Sequence, residues 1–189
     1  MAKDPRKIYQ LKIGLSGAKP PIWRRLLIVD TVPLPVFHTV LQIVMGWEDS
    51  HLHQFVTGGN YYGTPDPDDH FSETLNESRY KLNQLLKKEK DSLIYEYDFG
   101  DSWEHKVTLE NILPFDPDAI LPRCIKGKGA CPPEDVGGIW GYYGFLEALR
   151  DPQHPEHEDY KDWIGGDFDP DAFDLDEINA PLLEYCRQT

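Results

Sequence analysis

The chain has 189 residues and a net charge of −14, from 19 Lys and Arg against 33 Asp and Glu; it is 40% hydrophobic and 12% aromatic. That composition supports a buried core and excludes a disordered chain or a fibre. No apolar run approaches the roughly 18 residues of a membrane span, the start Met1-Ala2-Lys3-Asp4-Pro5 has no leader-like apolar stretch, and three cysteines do not build a secreted disulfide framework. The expectation is a cytoplasmic globular protein without a membrane partner, one domain over residues 1–189 with its core at about 8–182.

Tyr9, Leu11, Ile13 and Leu15 alternate, which predicts a half-buried strand over 8–15. Gly17-Ala18-Lys19-Pro20-Pro21 breaks it, and 22–29 reads as a second strand. Val36, Phe37, Val40, Leu41 and Val44 fall at helical spacing between Pro33-Leu34-Pro35 and Gly46, the expected punctuation of a helix. A strand over 51–57, closed by Gly58-Gly59-Asn60, precedes a Gly-, Pro- and Asp-rich loop over 62–71. Leu82, Leu85 and Leu86 suggest a helix over 78–90, with Lys87, Lys88 and Lys90 suited to its C-terminal end. Residues 93–99, a turn at Gly100-Asp101-Ser102 and residues 103–109 form a strong hairpin signal. Residues 114–138 hold five prolines and read as extended and turn-rich. A helix over 142–150, an acidic loop and a last helix over 176–186 complete the chain. Strands in hairpin-like succession with singly inserted helices favour an α+β fold, a largely antiparallel sheet with three to four helices.

Charge is unevenly spread. Residues 1–97 carry 12 basic and 12 acidic side chains, whereas residues 98–189 carry 7 and 21, with 11 acids against Lys161 alone in 151–177. Such a surface repels phosphate backbones, so nucleic acid is not an expected partner of this chain alone. The acidic stretch reads as a solvated face, or else as a docking surface for a basic partner or a weak cation site.

Six stretches in order resemble the plasmid pRiA4b ORF-3-like family. They are Ile22-Trp23-Arg24-Arg25; Val44-Met45-Gly46-Trp47 with His51-Leu52-His53-Gln54-Phe55; Tyr97-Asp98-Phe99-Gly100-Asp101-Ser102-Trp103-Glu104-His105; Cys131-Pro132-Pro133-Glu134-Asp135-Val136-Gly137-Gly138; Gly141-Tyr142; and Trp163 with Phe168-Asp169-Pro170. The resemblance implies a single-domain α+β module of bacteria, archaea and their plasmids, and brings no established activity. Some relatives carry a transposon-resolvase label. It does not transfer: a serine resolvase needs a nucleophilic serine among arginines and a basic DNA-binding part, and Arg24 and Arg25 are the only adjacent arginines here.

Two constellations could carry chemistry. On a strand, His51 and His53 would share one face about 7 Å apart. If that strand lies beside the hairpin, His51, His53, Asp98, Asp101 and His105 could converge on a divalent metal, zinc or manganese; otherwise the aspartates cap the turn and the histidines bond backbone. The second is a set of aromatics beside glycines. Tyr61, Tyr62, Trp103, Trp140 and Tyr142 either line a recognition cleft between 51–62 and the 97–105 hairpin or pack in the core. Cys124 and Cys131, spaced C-x6-C, fit structural zinc poorly, and neither Gly127-Lys128-Gly129 nor Asp167-Phe168-Asp169-Pro170-Asp171 completes a phosphate or calcium motif. The functional expectation is therefore a binding or adaptor module for an unknown protein or small-molecule ligand. The alternatives are a metal-dependent hydrolase using the His/Asp set and a DNA recombination accessory protein.

Overall fold

The computed structural model describes residues 5–66, 68 and 73–188. Strands β1 (Lys7–Leu15) and β2 (Trp23–Val29) pair antiparallel. In β1 the expected face, Tyr9, Leu11, Ile13 and Leu15, is buried; in β2 the inward set is Arg24, Leu26 and Ile28. Arg24 is tolerated there because its guanidinium donates to the carbonyls of Val44, Trp23 and Lys128, which satisfies the buried cation with backbone oxygens. Helix α1 (Leu34–Met45) begins behind Pro33 and stops at Gly46. The left-handed φ of 101° at Gly46 turns its N–H, and that of Trp47, back onto the Gln42 carbonyl.

Strands β3 (His53–Thr57) and β4 (Asn60–Gly63) form a hairpin, and β5 (Leu75–Asn76) lies parallel to β4. A 3-10 turn at Glu77–Arg79 and a one-turn helix α2 (Leu82–Leu85) lead to β6 (Ser92–Tyr97), β7 (Trp103–Pro114) and β8 (Arg123–Lys128). Helices α3 (Gly138–Arg150), α4 (His157–Ile164) and α5 (Leu175–Gln188) follow. The sheet order is β5-β4-β3-β6-β7-β1-β2-β8, antiparallel at every step except β4–β5. One face of β1, β6 and β7 is buried while the other carries residues such as Lys12, Glu96, Glu104 and Lys106. Residues of α1, α3 and α5 join the same core cluster as the buried strand face. The protein is a single α+β domain. Among the described residues, no helix is long and apolar enough to cross a membrane.

The details depart from expectation at four places. The helix over 78–90 is reduced to the 3-10 turn and α2, because the N–H groups of Leu82 and Asn83 bond the carbonyls of Val32 and Asp30 and those of Lys87 and Lys88 bond the Asp91 carboxylate. The loop over 62–71 begins as β4, and its residues 67 and 69–72 lie outside the described residues. The stretch 114–138 contains β8, and the acidic loop contains α4, giving five α-helices among the described residues instead of three to four.

Candidate metal centre

Three segments meet at one end of the β6–β7 hairpin. The first is the turn between α1 and β3. Asp49 sits there in the left-handed region at φ 58°, so the strand starts at His53 and not at residue 51. His51 therefore precedes the strand, and its ring meets that of Tyr97 edge-on while the His53 ring lies against His38. The second segment is the β6–β7 turn. Asp98, at φ 57°, donates its N–H to the Leu52 carbonyl and accepts from Gly100 N–H at Oδ1, which leaves Oδ2 toward His51. The third is the loop ahead of α3, where Asp135 sits at φ 58°.

His51 Nε2 lies 3.1 Å from Asp135 Oδ1 and 3.7 Å from Asp98 Oδ2, and the three ligand atoms fall within 4.8 Å of one another. The nitrogen is buried and makes no hydrogen bond to either carboxylate or to any other described group. Bonds of about 2.1 Å separate cis ligand atoms by roughly 3.0 Å around an octahedral ion and roughly 3.4 Å around a tetrahedral one; the His51–Asp135 spacing falls in that range, and the His51–Asp98 spacing is longer. Asp135 is 69% exposed, which leaves one side of the trio open to solvent.

The other members of the five-residue set go elsewhere. His53 Nε2 bonds Glu77 at 2.9 Å, and its ring stacks on His38 with centroids 3.4 Å apart. His38 in turn bonds Asp49 through Nε2 and Tyr95 through Nδ1. Burial, and then the neighbouring His53, pull the His38 imidazole below its ordinary value. His105 is fully buried on the inward face of β7, where its Nδ1 donates to the Trp103 carbonyl and Trp47 meets its ring edge-on. Burial lowers its pKa to about 4, so it is neutral near pH 7. Asp101 accepts the Gly137 N–H at 3.0 Å; it fastens the loop that carries Asp135 without joining the trio. His51 and Asp98 thus come together, His53, Asp101 and His105 do not join them, and Asp135 completes the group.

The aromatic set does not line one cleft. Trp103 and Tyr142 belong to the core, and Tyr62 is buried edge-on against Tyr80; Tyr61 and Trp140 are exposed. Between the two regions expected to flank a cleft, the described residues border a hollow of about 80 Å³ lined by Leu52, His53, Gly63 and Phe99. Burial raises the thiols of Cys124 and Cys131, against their role as thiolate ligands.

The description of the plasmid pRiA4b ORF-3-like protein family matches residues 7–177. This chain belongs to that family. Within it, the chain is 36% identical over 183 residues to uncharacterized protein y4hQ of Sinorhizobium fredii, covering 96% of this chain and 93% of the relative. It is also similar to the crystal structure of a protein of unknown function, MM3350, from Methanosarcina mazei Go1. That likeness has a TM-score of 0.81 at 39% identity and covers 91% of this chain and 97% of the other. Three of the stretches that carry the family resemblance supply the trio, one residue each: His51, Asp98 and Asp135. Asp135 was the residue missed by spacing arguments; the signal was its place in Glu134-Asp135-Val136-Gly137-Gly138, an acid beside a turn that only glycines permit.

Proposed function

We propose that this pRiA4b ORF-3-like protein binds a divalent cation, zinc or manganese, at His51, Asp98 and Asp135, and acts as a binding module that takes its ligand at the open side of the metal. One observation carries the reading. Three atoms able to ligate a metal, a buried imidazole nitrogen without a hydrogen bond and two carboxylate oxygens, approach one another. A cation is what reconciles them, and one histidine with two carboxylates is a donor set that manganese and zinc accept. Metal analysis of purified protein and calorimetric titration with each ion test it. One equivalent is expected, with His51→Ala and Asp98→Asn losing it and His53→Ala keeping it; bound metal at 100 times Kd adds about 2.7 kcal/mol of stability. Wild-type protein that takes up no ion, or His51→Ala that retains it, refutes the reading.

The open side supports a second reading. Three protein ligands and a vacant position are what a metal needs to bind and activate water, as in a metal-dependent hydrolase. Turnover by the metal-loaded protein that disappears in His51→Ala distinguishes this from simple binding.

A further inference from the structure

We infer that Tyr97 is the positioning residue of this centre, a single hydroxyl that holds all three ligand-bearing segments in register. The inference rests on the metal reading above. Tyr97 immediately precedes Asp98 in the chain. Its hydroxyl accepts the N–H of Ser50, the residue before His51, at 2.9 Å, and it donates to Oε1 of Glu134, the residue before Asp135, at 2.9 Å. One oxygen therefore touches the residue N-terminal to two ligands and belongs to the residue N-terminal to the third.

The assignment of donor and acceptor follows from the groups themselves. Ser50 N–H can only donate, so the phenol oxygen accepts from it, and the one phenol proton is left for Glu134. The same Glu134 oxygen also accepts the Glu48 N–H at 2.9 Å, which ties the loop carrying Asp135 to the turn carrying His51 a second time. The ring is fixed independently of the hydroxyl. It is buried, stacks on Trp47 with centroids 5.0 Å apart, and meets the His51 ring edge-on at 5.8 Å. Trp47 itself donates to the Pro132 carbonyl, at the start of the Asp135 loop. Removing the hydroxyl alone leaves this aromatic packing in place and cuts the one bridge that reaches all three segments at once, whose ligands are 37 and 47 residues apart along the chain. Groups of this kind orient ligands without touching the metal, and their loss typically weakens affinity about 10- to 100-fold.

The test is titration of manganese and zinc into wild type, Tyr97→Phe, Glu134→Gln and Glu134→Ala, together with the visible spectrum of the cobalt-loaded proteins and circular dichroism of the metal-free ones. Tyr97→Phe is expected to fold as wild type, to bind about 10- to 100-fold more weakly and to show a shifted cobalt band. Glu134→Gln keeps the acceptor oxygen and is expected to stay within about threefold of wild type, while Glu134→Ala falls with Tyr97→Phe. Affinity and cobalt band unchanged in Tyr97→Phe, with wild type binding normally, overturn the inference and leave the metal site standing. Glu134→Gln as weak as Glu134→Ala overturns it too, because charge and not register would then be what Glu134 supplies. If Tyr97→Phe fails to fold, the two Glu134 variants decide. Wild type that binds no metal defeats the underlying reading instead.

Discussion

Replacing His105 with Leu should change how stability responds to acid more than it changes stability near neutrality. In the folded protein the imidazole has no exposure, keeps a proton on Nδ1 for the Trp103 carbonyl, and leaves Nε2 buried without a partner. Taking up a second proton there places a cation among Trp47, Tyr95 and the rest of the core, so burial moves its pKa from 6.5 to about 4. The sign follows from which state binds the proton first. As pH falls below about 6.5 the unfolded chain protonates while the folded chain does not, so the stability from a neutral His105 is complete above that pH and is lost as pH approaches 4. At 1.36 kcal/mol per unit, the loss is about 2 kcal/mol by pH 5 and about 3 kcal/mol by pH 4. Leu at this position loses one hydrogen bond, about 1 kcal/mol, and has nothing to titrate. Urea unfolding of both proteins at neutral pH and at pH 5 measures the difference of differences; His38 titrates in both and cancels. If wild type and His105→Leu lose the same stability on acidification, the buried neutral imidazole is wrong.

Other substitutions test the packing of the core and of the loop that carries Asp135. Gly138→Ala should cost about 2 kcal/mol or more in thermal unfolding, because Gly138 has φ +67° and an added Cβ meets the Asp101 carbonyl oxygen directly, displacing the loop that carries Asp135. Phe145→Ala should cost about 3–5 kcal/mol, since Phe145 is fully buried and its ring meets Tyr160, Trp163 and Phe168. Trp140→Ala, at a ring 82% exposed, should stay within about 0.5 kcal/mol. Asn179→Ala should cost about 1–3 kcal/mol in urea unfolding. The Asn179 amide accepts the Cys124 N–H and donates to the Cys124 carbonyl, both on the edge strand β8.

The elements read correctly from the sequence were those whose causes are local. Alternation in β1 and in the β6–β7 hairpin, and the spacing of Phe37, Val40, Leu41 and Val44 between proline and glycine, need no distant partner. Strand β8 was hidden because Arg123-Cys-Ile-Lys-Gly-Lys buries only Cys124 and carries a glycine, so its periodicity is faint. Leu82, Leu85 and Leu86 do lie at helical spacing, yet the first donors of that helix bond Val32 and Asp30 on the β2–α1 connection, a contact no local pattern contains. The candidate site was half legible for the same reason. His51 and His53 were assigned one face on the assumption that a strand ran through both. The strand begins only at His53, after a turn in which a left-handed Asp49 is held by His38 at its carboxylate and by Gln42 at its N–H. Asp135 is brought in by Trp47, Tyr97 and Asp101, none of which is near it in sequence.

The acidic stretch 151–177 shows why acid density was a poor guide to the site. Much of that charge has local work. Asp151, Asp169 and Asp174 each accept a backbone N–H two residues on, closing the turns around α4 and ahead of α5. The same stretch contributes Tyr160, Trp163 and Phe168 to the rings gathered on Phe145, so it is anchored by apolar contacts while its carboxylates face water or cap turns. The trio at the β6–β7 turn has only two acids, but one Asp98 oxygen accepts from Gly100 while the other lies near His51 Nε2, which makes no hydrogen bond, and Asp135 Oδ1. It is the convergence of potential ligand atoms from three segments, and not the number of negative charges nearby, that motivates the metal proposal.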